Sequence, residues 1–402
     1  MTLPLGFPLR FGFSGLGGAT TGLGQLPKVP VLIEFESSTH SKAFRGGTAS
    51  RVGRVVSAFV GADGLAALAA TPGVRRVELR QPHRLHLDVN TAKNGAQAAR
   101  QATGLSGAGV LVGLIDTGID ITHADLRNAD GSTRVVAIWD EIDNSFALSG
   151  GAVGSAPPVR DDAGQPIGTV YTQQQIDAAL QGGPAVNSLD LVGHGTHVAA
   201  CAASNGRAPG AYTGVAPDAD LIMVRAGGAT KQDFTFSGDI ISALQWIDEQ
   251  AAARHQSVVV NMSFGQHFGA HDDTSAEEVA IDDFVSSPGH IVSVSAGNER
   301  DVAIHSSGST RGGRTLASEV TATTADLFAV DCWIPGSDIV DLAFVDPTGS
   351  GVSRANIPVG QCVVLEDQIE RVSLCVDFVN PVNGDREVFA IVEPIAASGQ
   401  IT

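Results

Sequence analysis

The spacing of apolar positions changes twice along this chain, and each change marks a different kind of structure. Between residues 26 and 88 the apolar runs are short: Val29–Phe35, Arg54–Val60 and Val74–Leu79 read as strands, the last entered through a Pro-Gly turn, and Asp63–Ala70 reads as a short helix. Strands flanking an Ala/Leu helix predict a small α+β module. From Ala108 the pattern becomes near-continuous apolar runs, Val110–Ile115, Leu221–Val224, Val258–Met262 and His290–Val294, which alternate with helical stretches at His194–Ser204, Ser237–Arg254 and Ser275–Ser286. Runs that are apolar on both faces predict an α/β fold, a parallel sheet covered by helices on both sides. Catalytic groups in such sheets collect at the carboxyl ends of the strands.

After about Asp301 the helical pattern stops. Short Val-rich strands follow at Leu327–Ile334, Ile339–Val345, Gln361–Leu365, Arg371–Phe378 and Arg386–Val392, separated by Gly, Pro and Asp, and they predict a β-sandwich. The expected organisation is a leader over 1–25, the α+β module over 26–88, a linker or first surface helix over 89–107, the α/β unit over 108–301 and the β-sandwich over 302–402.

Composition narrows the function classes. The chain has 402 residues with 43% hydrophobic content, enough for real cores, and 25 Lys plus Arg stand against 43 Asp plus Glu for a formal charge of −18. No basic cluster could neutralise a row of phosphates, so no nucleic-acid partner is expected. No run of 18 or more apolar residues occurs, which predicts no transmembrane helix, and the apolar N-terminus is broken by Pro4, Gly6, Pro8 and Gly12, a poor match to a signal peptide. Of the four cysteines, Cys201 and Cys332 stand apart, whereas Cys362 and Cys375 lie on neighbouring predicted strands and can equally form a disulfide or stay free thiols.

Three segments carry candidate chemistry. Asp116, in Ile115-Asp-Thr-Gly118, directly follows a buried strand, where its carboxylate would sit at the sheet's carboxyl edge. Taken alone it can equally be a turn-forming Asp or part of an aspartic protease half. His194, in Gly193-His-Gly-Thr-His-Val-Ala199, opens an Ala-rich helix; two histidines three apart can also suggest a metal, although no Glu or Cys accompanies them at zinc-helix spacing. Asn298 closes Ile291–Asn298 and offers an amide at another strand end, suited either to an oxyanion donor or to a turn.

In this order, together with Asn261-Met-Ser263 and Gly214-Val-Ala-Pro217, these segments resemble the subtilase family of serine proteases over about Ala108–Asp301. The resemblance implies a subtilisin-like core. In it Asp116 orients the histidine, His194 acts as general base and then acid, and Asn298 donates to the oxyanion. It further implies that Ser263, Phe264 and Gly265 form an edge strand for the substrate backbone, with Ser295, Ala296 and Gly297 as the opposite wall of the pocket. His197 matches a structural histidine of the family. Asp125, with Asn205 in the partner loop, falls where subtilases bind a structural calcium ion; no other cofactor is implied. The module over 26–88, through Thr71–Glu78, resembles the inhibitory propeptide that such proteases carry, so the expected partners are protein or peptide substrates and this module in cis. The family resemblance also favours an extracellular or cell-envelope location.

One part of the pattern is absent. The family's nucleophile lies in a Gly-Thr-Ser-Met-Ala segment at the start of a helix, and no such segment occurs between Asn298 and Thr402; Ser306, Ser307, Ser309 and Ser398 lack its context. The long Asp116–His194 interval, with Ile138–Ile142 and Tyr171–Ile176, and the β-rich stretch after Asn298 both resemble the subtilases of clostridial spore germination. Those proteins insert a jelly-roll domain before the serine. The expectation is therefore a serine endopeptidase whose last part lies beyond a truncated end, residues 1–402 being inactive alone; the alternatives are a pseudoprotease that binds or senses and a metal hydrolase built on His194 and His197.

Overall fold

The computed structural model describes residues 28–43, 49–61, 68, 71–79, 83–85, 95–209, 212–228, 235–236, 239–298, 304–312, 314–318, 320, 328–338, 343–345, 352–354, 361–366 and 370–394. The expected leader and most of the expected helix Asp63–Ala70 lie outside these residues.

The first unit is an antiparallel sheet of β1 (Lys28–Phe35), β2 (Ala49–Val52), β3 (Val55–Gly61) and β4 (Val74–Leu79) in the order β2-β3-β1-β4, with α1 (Ser38–Ala43) after its first strand. Alternation explains its two faces. Val31, Ile33 and Phe35 pack with Val56, Ala58 and Leu68 in a core of the unit's own, whereas Leu32, Val52 and Val55 join a core shared with the central domain. Between the strands, Glu34 has a side chain only 1% exposed and is met by Arg54 at 3.4 Å, Arg75 at 2.9 Å and Arg76 at 3.1 Å. A short strand β5 (His83–Leu85) then leaves the unit.

The central domain begins with α2 (Ala96–Thr103), found inside the expected linker, and β6 (Val110–Asp116). Next come β7 (Val135–Asp140), α3 (Ser145–Leu148), β8 (Thr169–Thr172), α4 (Gln173–Leu180), α5 (His194–Ala203), β9 (Asp220–Arg225) and β10 (Thr235–Phe236). They are followed by α6 (Ile240–Arg254), β11 (Ser257–Met262), β12 (Phe264–Gly265), α7 (Ala276–Val285) and β13 (His290–Val294). Six strands form one sheet in the order β13-β11-β6-β9-β7-β8, parallel except for the edge strand β8, which runs antiparallel to β7. That edge departs from the all-parallel expectation, and it places Ile138–Ile142 and Tyr171–Ile176 within and beside the sheet. Helices cover both faces: Val112 and Leu114 pack with Val198 and Ala203 of α5, and Leu111 and Ile115 with Trp246 and Ile247 of α6. The opposite edge is less covered, with Ile291 and Val294 of β13 being 56% and 52% exposed.

Helix starts follow local chemistry. Thr172 with Gln175 and Ser275 with Glu278 make capping boxes for α4 and α7, and Asp239 caps α6 through the amides of Ile241 and Ser242.

Beyond residue 327 the strands β14 (Phe328–Ile334), β15 (Ala343–Val345), β16 (Val352–Arg354), β17 (Gln361–Glu366), β18 (Glu370–Val379) and β19 (Arg386–Pro394) form an antiparallel sheet, β14-β19-β18-β17, and a β15–β16 hairpin. Its register places Cys362 opposite Cys375.

Trp139 fixes where β7 packs on α6. It is 1% exposed, meets the Trp246 ring edge-on at 5.8 Å and donates Nε1–H to the Ile167 carbonyl at 3.1 Å. Trp139→Ala is expected to cost about 3–5 kcal/mol of stability, read from denaturant midpoints.

Candidate active site

Asp116 is the last residue of β6 and is 0% exposed. Two neighbouring strands end beside it: Met262 of β11 pairs with Ile115 on one side and with Val294 on the other. The next residue of each strand, Asp116, Ser263 and Ser295, therefore reaches the same carboxyl edge.

Helix α5 delivers His194 to that edge as its first residue. His194 Nδ1 lies 2.7 Å from Asp116 Oδ1, and the same oxygen accepts the Thr117 N–H at 2.7 Å. The approach is tight enough to need glycine: a Cβ on Gly195 would stand 2.2 Å from the Gly118 carbonyl oxygen, and Gly118 has φ +121° with the Asp190 backbone beside it. Burial pushes the Asp116 carboxyl up from its ordinary range, opposed by the hydrogen bond and charge of His194 and by the Thr117 N–H. With Nδ1–H directed to Asp116, the imidazole keeps Nε2 as its basic nitrogen.

The two predicted pocket walls also meet. Ser295 donates Oγ–H to the Phe264 carbonyl at 3.2 Å and its N–H to the Met262 carbonyl at 3.0 Å. Ser263 Oγ accepts from the Asn261 amide at 2.9 Å, Gly297 turns the chain with φ +94°, and Asn298 follows in an exposed position. Strand β12 is not bare: β5 pairs with it antiparallel, Leu85 opposite Phe264 and Arg84 opposite Gly265, while Thr235 and Phe236 of β10 pair with Arg84 and His83 on the other side. The extended segment β5, which follows the N-terminal unit, thus lies between β10 and β12.

An Asp–His pair at the end of a buried parallel strand, with helix N-terminus and strand edges arranged around it, coincides with a family-model match described as "Subtilase family" over residues 107–332. This chain belongs to the subtilase family. Among curated subtilases, "Serine protease AprX" of Bacillus subtilis (strain 168) is 26% identical over 298 residues, covering 69% of this chain and 56% of the relative. "Subtilisin" of Bacillus sp. (strain TA39) is 29% identical over 159 residues, covering 40% of this chain and 28% of the relative. The solved structure titled "Structure of the Clostridium Perfringens CspB protease" shares the fold, with a TM-score of 0.59 at 23% identity over 75% of this chain and 59% of that one. The chain thus spans little more than half, or less, of the length of these curated subtilases.

The calcium expectation meets a different arrangement. Asp125 is buried, but its Oδ1 accepts the Ala208 N–H at 2.6 Å, and the nearby carbonyls are taken by Arg134. That guanidinium donates to the carbonyls of Asp125, Ala203 and Ala219 at 3.0, 2.6 and 2.7 Å. Asn205 turns its amide N–H to the Arg127 carbonyl at 2.8 Å and leaves Oδ1 without a hydrogen bond. The carbonyls of Asp125, Ala203 and Ala219 and one oxygen of the Asp125 carboxylate therefore already have donors, whereas Asn205 Oδ1 does not. His197 reaches Cys201 Sγ at 3.9 Å while His194 faces Asp116, so the two imidazoles serve different partners.

Sequence reasoning missed Asp190. It precedes His194 by four residues and accepts hydrogen bonds from Thr117, Gly193 and Thr196; an acidic residue just before a helix start is the signal that marks it.

Because the folded pKa of Asp116 lies above the unfolded one, the folded state holds its proton more tightly. That contribution to stability is complete below the unfolded pKa of 3.8 and is lost as pH rises through the folded value. Asp116→Asn, which cannot ionise, is therefore expected to be at least as resistant to urea as the parent at pH 7, with the difference shrinking towards acid pH.

Proposed function

We propose that the protein is a serine endopeptidase that cleaves peptide bonds by acyl transfer. The observation that carries this is the 2.7 Å contact between His194 Nδ1 and Asp116 Oδ1 at the carboxyl edge of the sheet. In this reading the Asp116 carboxylate holds the imidazole by its Nδ1–H, His194 Nε2 takes the proton of a serine hydroxyl as that oxygen attacks the scissile carbonyl, and the same proton passes to the leaving amine. Asn298 donates to the carbonyl oxygen as it gains negative charge. Water then hydrolyses the acyl-enzyme with His194 again as base.

The serine belongs to a Gly-Thr-Ser-Met-Ala segment, which residues 1–402 do not contain, so the activity is that of the whole protein. The exposed Ile291 and Val294 on β13, next to Ser295, give an apolar surface on which such a segment can pack.

The substrate is a protein or peptide in extended form. Ser263, Phe264 and Gly265 pair with its backbone, and Ser295, Ala296 and Gly297 face the side chain preceding the scissile bond. The antiparallel pairing of β5 with β12 supports a second element of the reading, that the N-terminal unit acts as a propeptide and blocks the cleft in cis. The sheets beyond residue 327 are the insert of the same scheme.

The test compares the whole protein, purified from its source, with the 402-residue chain. The whole protein is expected to hydrolyse casein and a peptide ester, insensitive to a zinc-selective chelator, and Asp116→Asn is expected to lower kcat about 10⁴-fold. The 402-residue chain is expected to show no turnover and no product burst. Substrate binding by the whole protein without turnover would make it a binding module instead, and loss of activity with chelator would make it a metal hydrolase.

A further inference from the structure

Helix α5 carries His194 but starts without a side-chain cap, because its N-cap is Gly193 in a left-handed conformation. The free amides at such a start need acceptors. Asp190 supplies them from outside the helix. Its Oδ1 accepts the Gly193 N–H at 2.8 Å and the Thr117 Oγ1–H at 2.9 Å, and its Oδ2 accepts the Thr196 N–H at 2.8 Å and the Thr196 Oγ1–H at 2.6 Å. One carboxylate thus takes four donors, three from the helix start and one from the turn after β6.

The link continues towards the reacting groups. Thr117 Oγ1, while donating to Asp190, accepts the Gly195 N–H at 3.0 Å, and the Thr117 backbone N–H donates to Asp116 Oδ1 at 2.7 Å, the oxygen that His194 also uses. Thr196 Oγ1 in turn accepts the Asp120 N–H at 2.9 Å. Strand end and helix start are therefore clasped on both sides of the Asp–His contact. Without the clasp, the glycine-lined approach of α5 to the β6 turn and its apolar packing on Val112, Leu114 and Ile119 still fix closeness, whereas the polar contacts that set the rotation of its first residues are lost.

We propose that Asp190 is a positioning residue for the Asp116–His194 pair, holding the helix start and Thr117 in the one arrangement that aims His194 Nδ1 at Asp116. The proposal rests on the reading of His194 as general base. Asp190 does not touch the reacting atoms and acts through Thr117 and the amides of α5. Asparagine in its place keeps one acceptor oxygen but turns an NH₂ group towards two donors, so half of the clasp becomes a clash of donors.

The test reads the His194 Nδ1 proton, which gives a low-field NMR resonance only while it is shielded from solvent and hydrogen-bonded to the carboxylate. The 402-residue chain is used, with His194→Gln to assign the signal. The parent is expected to show the resonance and Asp190→Asn to lose it. Thr117→Val, which removes the bridging hydroxyl, is expected to lose it as well, and Thr117→Ser to keep it. Asp239→Asn is the control, since it weakens a comparable cap on α6 remote from this clasp; it is expected to leave the resonance in place. Absence of the resonance from the parent would sink the general-base reading itself. Its presence in the parent and its persistence in folded Asp190→Asn or Thr117→Val would overturn the positioning role alone, as would its equal loss in Asp239→Asn.

Discussion

A carboxylate with no exposed surface, placed where a buried strand runs out, is the constraint around which the rest of the central domain is arranged. Asp116 cannot be solvated, and an ionised group in that position is costly unless donors reach it. Two do, the Thr117 amide and the His194 imidazole, and both choose the same oxygen. To bring the imidazole there, α5 must start directly above the β6 turn, which explains the glycines at 118 and 195 and the outside cap from Asp190.

Other buried charges hold the surrounding elements in the same manner. Arg225, at the end of β9, donates to Asp140 of β7 at 3.0 Å and to the Gly228 carbonyl at 2.7 Å, tying two strand ends beside the site. Arg134 gathers carbonyls from three segments under α5. On the far face, Arg54 of the N-terminal unit has its backbone N–H on Asp283 of α7 at 2.9 Å while its side chain meets Glu34. Such pairs are weak evidence for net stability. Breaking one leaves a charge stranded, so they specify which element sits where.

The sequence made the two site segments legible because each is local: an apolar run ending in Asp116, and a helix start opening with His194. The core strands and the helices α5, α6 and α7 were readable for the same reason, as their apolar spacing and caps are written in consecutive residues. β7 and β8 were not, since their residues stood only as part of a long Asp116–His194 interval, and Trp139 gains its meaning only against Trp246, more than a hundred positions away. At Asp125 the motif position names a carboxylate but not the guanidinium of Arg134 that binds its main-chain carbonyl.

What the sequence by itself determined, then, was the family, the α/β order of the core and the identities of the groups at its strand ends, because short-range periodicity and motif order carry that information. Tertiary structure alone decided that Ser295 closes on Phe264, that β5 lies between β10 and β12, and that Asp190 holds the turn beside Asp116. Each joins segments distant in the chain, and such contacts depend on strand order and register, which no local run of residues encodes.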